Sequence, residues 1–278
     1  MTDIKTLLQE TTERLIKHTP TPRLDAEVLL IYILKKNRAY LYAHGTDTVE
    51  QALLSQYQAL ILKRIEGQPI AYLTGEREFW SLSLNVNEAT LIPRPETELL
   101  VETTLDLLQH MPHASILDLG TGSGAISLAL AFARPDWTIM ACDKYEATLN
   151  VARENAKRLN LHNITFILSD WFSAIPNMRF DAIVSNPPYL AEHDPHQQEG
   201  DLRFEPRHAL VSGPDGLNDI RHIIQNAPSF LKDTGLLLVE HGFEQGVLVK
   251  NIIQAQAFKR VLSFTDIENR PRISGGWL

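Results

Sequence analysis

The stretch Ser115–Ala133, SILDLGTGSGAISLALAFA, decides how the rest of this chain is read. Ser115 to Leu119 has the apolar pattern of a buried strand, Gly120-Thr121-Gly122-Ser123-Gly124 is a loop, and Ala125 to Ala133 is an apolar helix. Strand, glycine loop and helix in that order predict the opening unit of an α/β sheet. Glycines let the backbone approach a ligand closely, and the N–H groups at a helix start favour a negatively charged group such as a carboxylate. Asp118, closing the strand, has the chemistry to accept from an ammonium. The next strand, Thr138 to Ala141, leads to Asp143, where a carboxylate can take both hydroxyls of a ribose. Loop plus acid predicts a nucleoside site without saying which nucleoside. GTGSGA also satisfies the dinucleotide pattern GxGxx(G/A), with Asp143 at about the twenty-residue offset that pattern expects.

The series that follows separates the readings. A helix pattern from Tyr145 to Leu159 and a strand from Thr165 to Leu168 end at Asp170-Trp171, and a strand from Phe180 to Val184 ends at Asn186-Pro187-Pro188-Tyr189. In this order Asp170 is placed to accept from an adenine amino group and Trp171 to lie against the base, the plain alternatives being a turn and a core aromatic. The tetrad falls at the carboxyl end of a strand, where open α/β sheets bind ligands. Two consecutive prolines remove two N–H donors and fix two φ angles, leaving a stiff loop whose carbonyls can accept from a guest amine. Asn186 adds an amide oxygen and Tyr189 a flat ring, so the set suits a planar, NH2-bearing substrate. Its alternative is a Pro-Pro turn with a core tyrosine.

Working outward, residues 4–18 carry Ile4, Leu7, Leu8, Leu15 and Ile16 on a helical stripe. A second helix opens at Thr21 as cap with Pro22 in its first turn, and a third spans about Val49 to Ile65. Residues 1–67 are thus expected to form a helical bundle, 68–92 a linking β-hairpin, and 93–278 the α/β domain. In Ile92-Pro93-Arg94-Pro95-Glu96-Thr97-Glu98 the two glutamates precede a helix from Leu99 to Leu108, as caps or as cleft residues; Glu205 either borders the substrate cleft or merely precedes a proline turn. Leu217 to Leu231 reads as helix, Gly235 to Glu240 as strand and Val247 to Ala257 as helix.

Composition excludes several classes. With 44% apolar residues in 278, the chain can bury a sizeable core. A net charge of −8 without a basic run argues against a broad nucleic-acid footprint. No run approaches the roughly 18 apolar residues of a membrane span, and a single cysteine, Cys142, fits a reducing compartment, so a cytoplasmic protein is expected. His193 and His196, loosely spaced and without a cysteine partner, read as a solvated loop, and no metal is expected.

DLGTGSG at 118–124, Asp143, Asp170-Trp171 and Asn186-Pro187-Pro188-Tyr189 together resemble the S-adenosylmethionine-dependent methyltransferases that modify planar nitrogen atoms. IPRPETE at 92–98, FEP at 204–206 followed by Ala209-Leu210, Gly213 and Asp215-Gly216-Leu217, and Glu240-His241-Gly242 narrow the resemblance to the release-factor glutamine methyltransferases and extend it over nearly the whole chain. The resemblance implies an amino-terminal helical bundle joined to a Rossmann-like, seven-stranded methyltransferase sheet. It implies S-adenosyl-L-methionine as cofactor and, as substrate, the glutamine in the Gly-Gly-Gln loop of peptide chain release factors. Gly120 to Gly124 then hold the methionine part, Asp143 the ribose, Trp171 the adenine side, and Asn186 to Tyr189 the substrate amide.

In that reading Asn186, Pro187 and Tyr189 carry the chemistry. The Asn186 side-chain oxygen and the Pro187 carbonyl accept the two amide N–H bonds, and Tyr189 packs on the amide plane. A monomer that touches neither nucleic acid nor membrane is expected. The rivals are a methyltransferase for exocyclic amines of adenine or guanine, disfavoured by charge; a nicotinamide dehydrogenase, which offers the tetrad no role; and a non-catalytic cofactor-binding protein.

Overall fold

The computed structural model describes residues 2–278, in two compact units. One ends at Glu76 and takes in Gln198–Phe204; the other comprises Arg77–Gln197 and Glu205–Leu278.

The first unit is helical: α1 (Ile4–Leu15), α2 (Pro22–Leu34), α3 (Arg38–Ala43), α4 (Gln51–Ile65) and α5 (Ile70–Thr74). α1 starts where the Asp3 side chain accepts from the Thr6 N–H at 2.9 Å, and buries Ile4, Leu7, Leu8, Thr11 and Leu15 on one stripe. Ile16, expected on that stripe, lies beyond the helix and is exposed. Thr21 does not cap α2: its hydroxyl donates to Asp25 Oδ1 at 2.8 Å, so the helix opens on Pro22 alone. Buried charge holds the bundle together. Asp25 accepts from Arg64 Nε at 2.7 Å, and Arg64 also donates to Thr19 Oγ1 and to Asp201 of the 198–204 segment. The buried Glu27 accepts from Arg23, Arg38 and Tyr42 at 2.6, 2.8 and 3.1 Å.

Residues 68–92 are only partly the hairpin expected of them. Ile70–Thr74 is the helix α5, whose Leu73 joins the bundle core, because Pro69 presets the first turn and Ala71 and Leu73 are buried together. The hairpin proper is β1 (Glu76–Phe79) and β2 (Leu82–Asn85). Its turn residues Trp80 and Ser81 both take positive φ, 54° and 59°, as a two-residue hairpin of this hand requires. The Glu98 carboxylate secures this bend by accepting from the Trp80 N–H at 2.9 Å, which answers the question of that glutamate's role.

The second unit continues with α6 (Glu98–Leu107), β3 (Ser115–Leu119), α7 (Ala125–Ala133), β4 (Thr138–Asp143), α8 (Glu146–Arg158), β5 (Ile164–Leu168) and β6 (Phe180–Ser185). It ends with α9 (Asn218–Asn226), β7 (Leu231–Glu240), α10 (Gly246–Gln254), β8 (Arg260–Thr265) and β9 (Pro271–Trp277). The helix expected to reach Leu231 stops at Asn226, where Pro228 forbids continuation, and Leu231 opens β7 instead. Seven strands form one sheet in the order β5-β4-β3-β6-β7-β9-β8; the first five are parallel, and β9 runs antiparallel between β7 and β8. Helices α6, α7 and α8 pack on one face and α9 and α10 on the other, so the central strands are buried on both sides and read as continuous apolar runs. Asp181, the charged residue inside β6, accepts from the Ser115 N–H and hydroxyl and from Lys232, all on Oδ2.

Removing the Asp25 carboxylate leaves Arg64 buried without its closest counter-charge, which costs several kcal/mol for an interior pair. Asp25→Ala is expected to lower unfolding free energy by about 3 kcal/mol, measured by urea titration with circular dichroism.

Candidate active site

The chain leaves β3 for β4 and β5 on one side and returns to β6 on the other, so the loops after β3 and β6 diverge at their carboxyl ends. A cleft at such a reversal of strand order is where α/β sheets seat ligands. Here it is a cavity of about 270 Å³. Gly120, Thr121, Gly122 and Ser123 line it from the loop after β3, Asp143 from β4, Asp170 and Trp171 from the loop after β5, and Asn186 and Pro188 from the loop after β6. Of the residues nominated from sequence, Asp118, Gly124, Pro187 and Tyr189 lie outside that lining.

The glycine loop is held in place by three of its own donors. Thr121 N–H donates to the Cys142 carbonyl at 2.9 Å, Gly122 N–H to Asp143 Oδ2 at 3.1 Å, and Gly124 N–H to the Thr121 carbonyl at 2.9 Å. The wall facing an anion is therefore the start of α7, where Ala125 and Ile126 line the cavity. Gly120 has φ 71°, and a Cβ there would lie 3.3 Å from Trp171, so this glycine admits the indole against the loop. Gly124, φ 87°, would push a Cβ to 2.7 Å from Leu128, so it serves packing at the helix start.

Asp118 sits beneath the loop with no exposed surface, accepts from the Thr121 hydroxyl at 2.6 Å on Oδ2, and leaves Oδ1 without a partner. Burial pushes its carboxyl up to about 6, against the pull of the Thr121 hydroxyl. Asp143 braces the two loops, taking Gly122 N–H on one oxygen and Tyr145 N–H on the other, and retains lone pairs toward the cavity. Burial raises its pKa, and those two backbone donors oppose the rise. Asp170 pairs with Lys144 at 2.8 Å across the ends of β5 and β4. Trp171 takes φ 50° and donates from Nε1 to Asp219 at 3.1 Å, which fixes the indole plane in the wall.

At the other end of the cavity, Asn186 donates from Nδ2 to Thr97 Oγ1 at 3.0 Å. Pro187 is buried, and Tyr189 packs on the apolar cluster of α9 and β7. The Tyr189 carbonyl accepts from Gln245 Nε2 at 2.9 Å, and burial holds its phenol protonated well above the ordinary range. Glu205, the other glutamate left open, is fully buried and accepts from Arg94 at 2.5 Å; Arg94 lines the cavity and Glu205 stands behind it. Glu96 lies outside the lining. His196 stays with its neighbour Asp194 at 2.7 Å, and among the described residues no three His, Cys, Asp or Glu side chains converge as metal ligands.

Two residues with a part in the site, His208 and Asn155, carried no local signal, and a third, Glu240, was marked in the sequence only as part of Glu240-His241-Gly242. His208 packs on Tyr145 with ring centroids 3.8 Å apart and planes tilted by 36°, both lining the cavity beside Asp143; burial lowers the imidazole pKa while Asp143 draws it up. Asn155, fully buried in α8, accepts from Asn85 N–H at 2.7 Å and donates to the Asn85 and Ser123 carbonyls at 3.0 and 2.9 Å, pinning the glycine loop to the end of β2. Glu240 is buried behind Asn186. Contacts over 32 to 70 residues of separation produce the Asn155 set, and periodicity does not report such distances.

The cavity presents groups that suit a nucleoside with an anionic tail, a helix start beside the glycine loop, an acid after β4 and an indole after β5, while the unpartnered Asp118 oxygen lies beneath the loop and outside the lining. Two outcomes test this geometry. A carboxyl whose pKa is raised on folding contributes stability that is complete below its ordinary value of 3.8 and is lost as pH rises through about 6. Asp118→Asn should therefore melt higher than the parent at pH 8, by up to about 3 kcal/mol, with the advantage vanishing at acid pH in calorimetric scans without ligand. Asn155→Ala strands buried groups of Asn85 and Ser123 and should cost about 3 kcal/mol, with weakened nucleoside binding by calorimetry where the fold persists.

Comparison with known proteins agrees with this architecture. The PrmC N-terminal domain model matches residues 6–75, and the methyltransferase small domain model matches residues 96–203. Among solved structures, the catalytic domain of hMettl16 with an RNA hairpin of MAT2A superposes at a TM-score of 0.59, covering 89% of this chain and 91% of that one at 15% identity, a likeness of fold alone. The release factor glutamine methyltransferase of Xylella fastidiosa (strain 9a5c) is 44% identical over 97% of this chain and 96% of its own. That of Escherichia coli (strain K12) is 45% identical over 94% of each, and that of Vibrio cholerae 45% over 98% and 96%. With identity at this level from end to end, and both domain models in place, the chain belongs to the release factor glutamine methyltransferase family.

Proposed function

We propose that the chain transfers a methyl group from S-adenosylmethionine to the side-chain amide nitrogen of the glutamine in the Gly-Gly-Gln loop of peptide chain release factors. The observation that carries this reading is the Asn186 amide at the cavity wall, its NH2 end engaged by Thr97 and its oxygen left for a guest N–H. The bound cofactor supplies an electrophilic sulfonium methyl; everything else is positioning by the chain's own residues.

An amide nitrogen is a poor nucleophile because its lone pair is delocalised into the carbonyl. Asn186 Oδ1 and the Pro187 carbonyl accept its two N–H bonds, orient it, and stabilise the positive charge that grows on it during transfer. The S–C bond would break as the N–C bond forms, leaving S-adenosylhomocysteine, and the N-protonated amide so formed is acidic enough to pass its extra proton to solvent, so no strong base is needed. Pro187 and Pro188 keep that wall free of competing donors, and Tyr189, seated outside the cavity lining against α9 and β7, backs the loop from behind, whereas the sequence placed it on the amide plane. On the cofactor side Asp118 and the loop Gly120, Thr121, Gly122, Ser123 and Gly124 hold the methionine moiety. Asp143 takes the ribose hydroxyls, Asp170 the adenine amino group, and Trp171 the face of the base. The His208–Tyr145 pair covers the same end of the cavity.

The helical unit serves as the recognition module for the release factor. Among the described residues no helix is long and apolar enough to cross a membrane, and the reading places the enzyme in the cytoplasm, acting as a monomer because one copy carries every residue named.

Incubating purified release factor with labelled S-adenosylmethionine and mapping the label to the Gly-Gly-Gln glutamine tests the function; label on added RNA in its place overturns it. Asn186→Ala should lower kcat by on the order of 10²-fold with cofactor affinity held within a few-fold. Undiminished turnover together with undiminished glutamine affinity would remove Asn186 from the chemistry.

A further inference from the structure

A carboxamide side chain presents nearly the same shape whichever end faces the cleft, yet one end accepts hydrogen bonds and the other donates them. A site for an amide nitrogen needs the accepting end. In the structure Asn186 turns its NH2 group to Thr97 Oγ1 at 3.0 Å, so its oxygen is directed elsewhere. Thr97 accepts from Asn186, which leaves the single hydroxyl proton of Thr97 for another partner.

Glu240 stands where that partner is needed. It closes β7, whose Val239 is in register with Ser185 of β6, so Glu240 is level with Asn186 at the carboxyl edge of the sheet. Its carboxyl is 2% exposed and leaves Oε2 without a hydrogen-bond partner, so a buried acceptor stands at the level of the Thr97–Asn186 pair, whose side chains lower its pKa against burial. An ionised carboxylate only accepts. A carboxylate at that level attracts the Thr97 hydroxyl proton, which favours Thr97 as the acceptor of the bond it receives from Asn186.

Resting on the function proposed above, we infer that Thr97 and Glu240 are positioning residues that lock the Asn186 amide with its oxygen toward the substrate. The pocket then selects glutamine over its isostere glutamate, whose carboxylate brings no N–H to donate and would meet that oxygen with repulsion. Burial pushes the Glu240 carboxyl up to about 7, with Arg272 and the Thr97 and Asn186 side chains holding it down and Glu96 raising it; Tyr189, whose own pKa Glu240 raises, is the other titratable group near it. A protonated Glu240 can donate to Thr97, which can then donate to Asn186 and turn the amide over.

The test measures kcat and KM of the full chain on release factor, calorimetric binding of S-adenosylmethionine, and binding of Gly-Gly-Gln and Gly-Gly-Glu peptides in the presence of S-adenosylhomocysteine. Thr97→Val should lose on the order of tenfold to a hundredfold in kcat/KM, keep cofactor affinity within about threefold, and bind the two peptides with similar affinity. Thr97→Ser, which keeps the hydroxyl, should restore both rate and discrimination. Parent kcat should fall as pH drops through about 7, and Glu240→Gln should flatten that profile. Thr97→Val with parental rate and parental discrimination overturns the inference alone, as does equal loss in Thr97→Ser. A parent chain that labels no release factor overturns the functional reading and this inference with it. Circular dichroism melts of each variant confirm the fold, and if Thr97→Val is unfolded the pH profile of Glu240→Gln decides.

Discussion

The constraint on which the site depends is the reversal of strand order at β3. Because β4 and β5 are added on one side of β3 and β6 and β7 on the other, the loops at its carboxyl end part and leave a cleft that no helix fills. Four groups that line the cavity are delivered by that topology: a glycine loop from β3, an acid from β4, an indole from β5, an amide from β6. The sheet can hold this arrangement because its central strands are buried on both faces and their register is secured by apolar packing, so the loops are mounted on a stiff edge.

Polar groups buried around the cleft oppose folding and persist because they set geometry. Asp118 leaves one oxygen unpaired under the glycine loop, and Glu240 leaves one unpaired behind Asn186; a buried carboxyl without full hydrogen bonding is unfavourable in both protonation states. Asn155, by contrast, satisfies all its contacts and ties loop to hairpin. The two kinds of buried polar residue divide the work. Satisfied amides make the wall rigid, and unsatisfied carboxyls face the places where a ligand's or a neighbour's donor is called for.

Local patterns marked the strand ends that border the cavity, although Asp118, Gly124, Pro187 and Tyr189 fall outside its lining. DLGTGSG, the acid at Asp143, Asp170-Trp171 and the Asn-Pro-Pro-Tyr string lie at strand ends, and strand ends are marked by apolar runs that stop at glycine, proline or acid. Sequence reading failed at Ile70–Thr74, where five residues between Pro69 and Gly75 are too short a stretch to show helical period. It also stretched the helix before β7 past Pro228, and it left β8 and β9 unassigned, since β9 reads PRISGGW with two glycines that dilute a strand pattern. Position alone left Glu98 between cap and cleft and Glu205 between cleft and proline turn: one secures the hairpin bend, the other backs Arg94.

The amino-acid sequence by itself determined the fold class, the glycine loop and the Asn-Pro-Pro-Tyr wall, and through their combination the family, because each is written in consecutive residues whose backbone demands are local. Tertiary structure alone decided which way the Asn186 amide points, that Asn155 holds the loop, that His208 packs on Tyr145, and that Glu240 is buried beside Thr97. Those are pairings of side chains separated by tens of residues, and only the closing of the sheet brings them within hydrogen-bonding or packing distance.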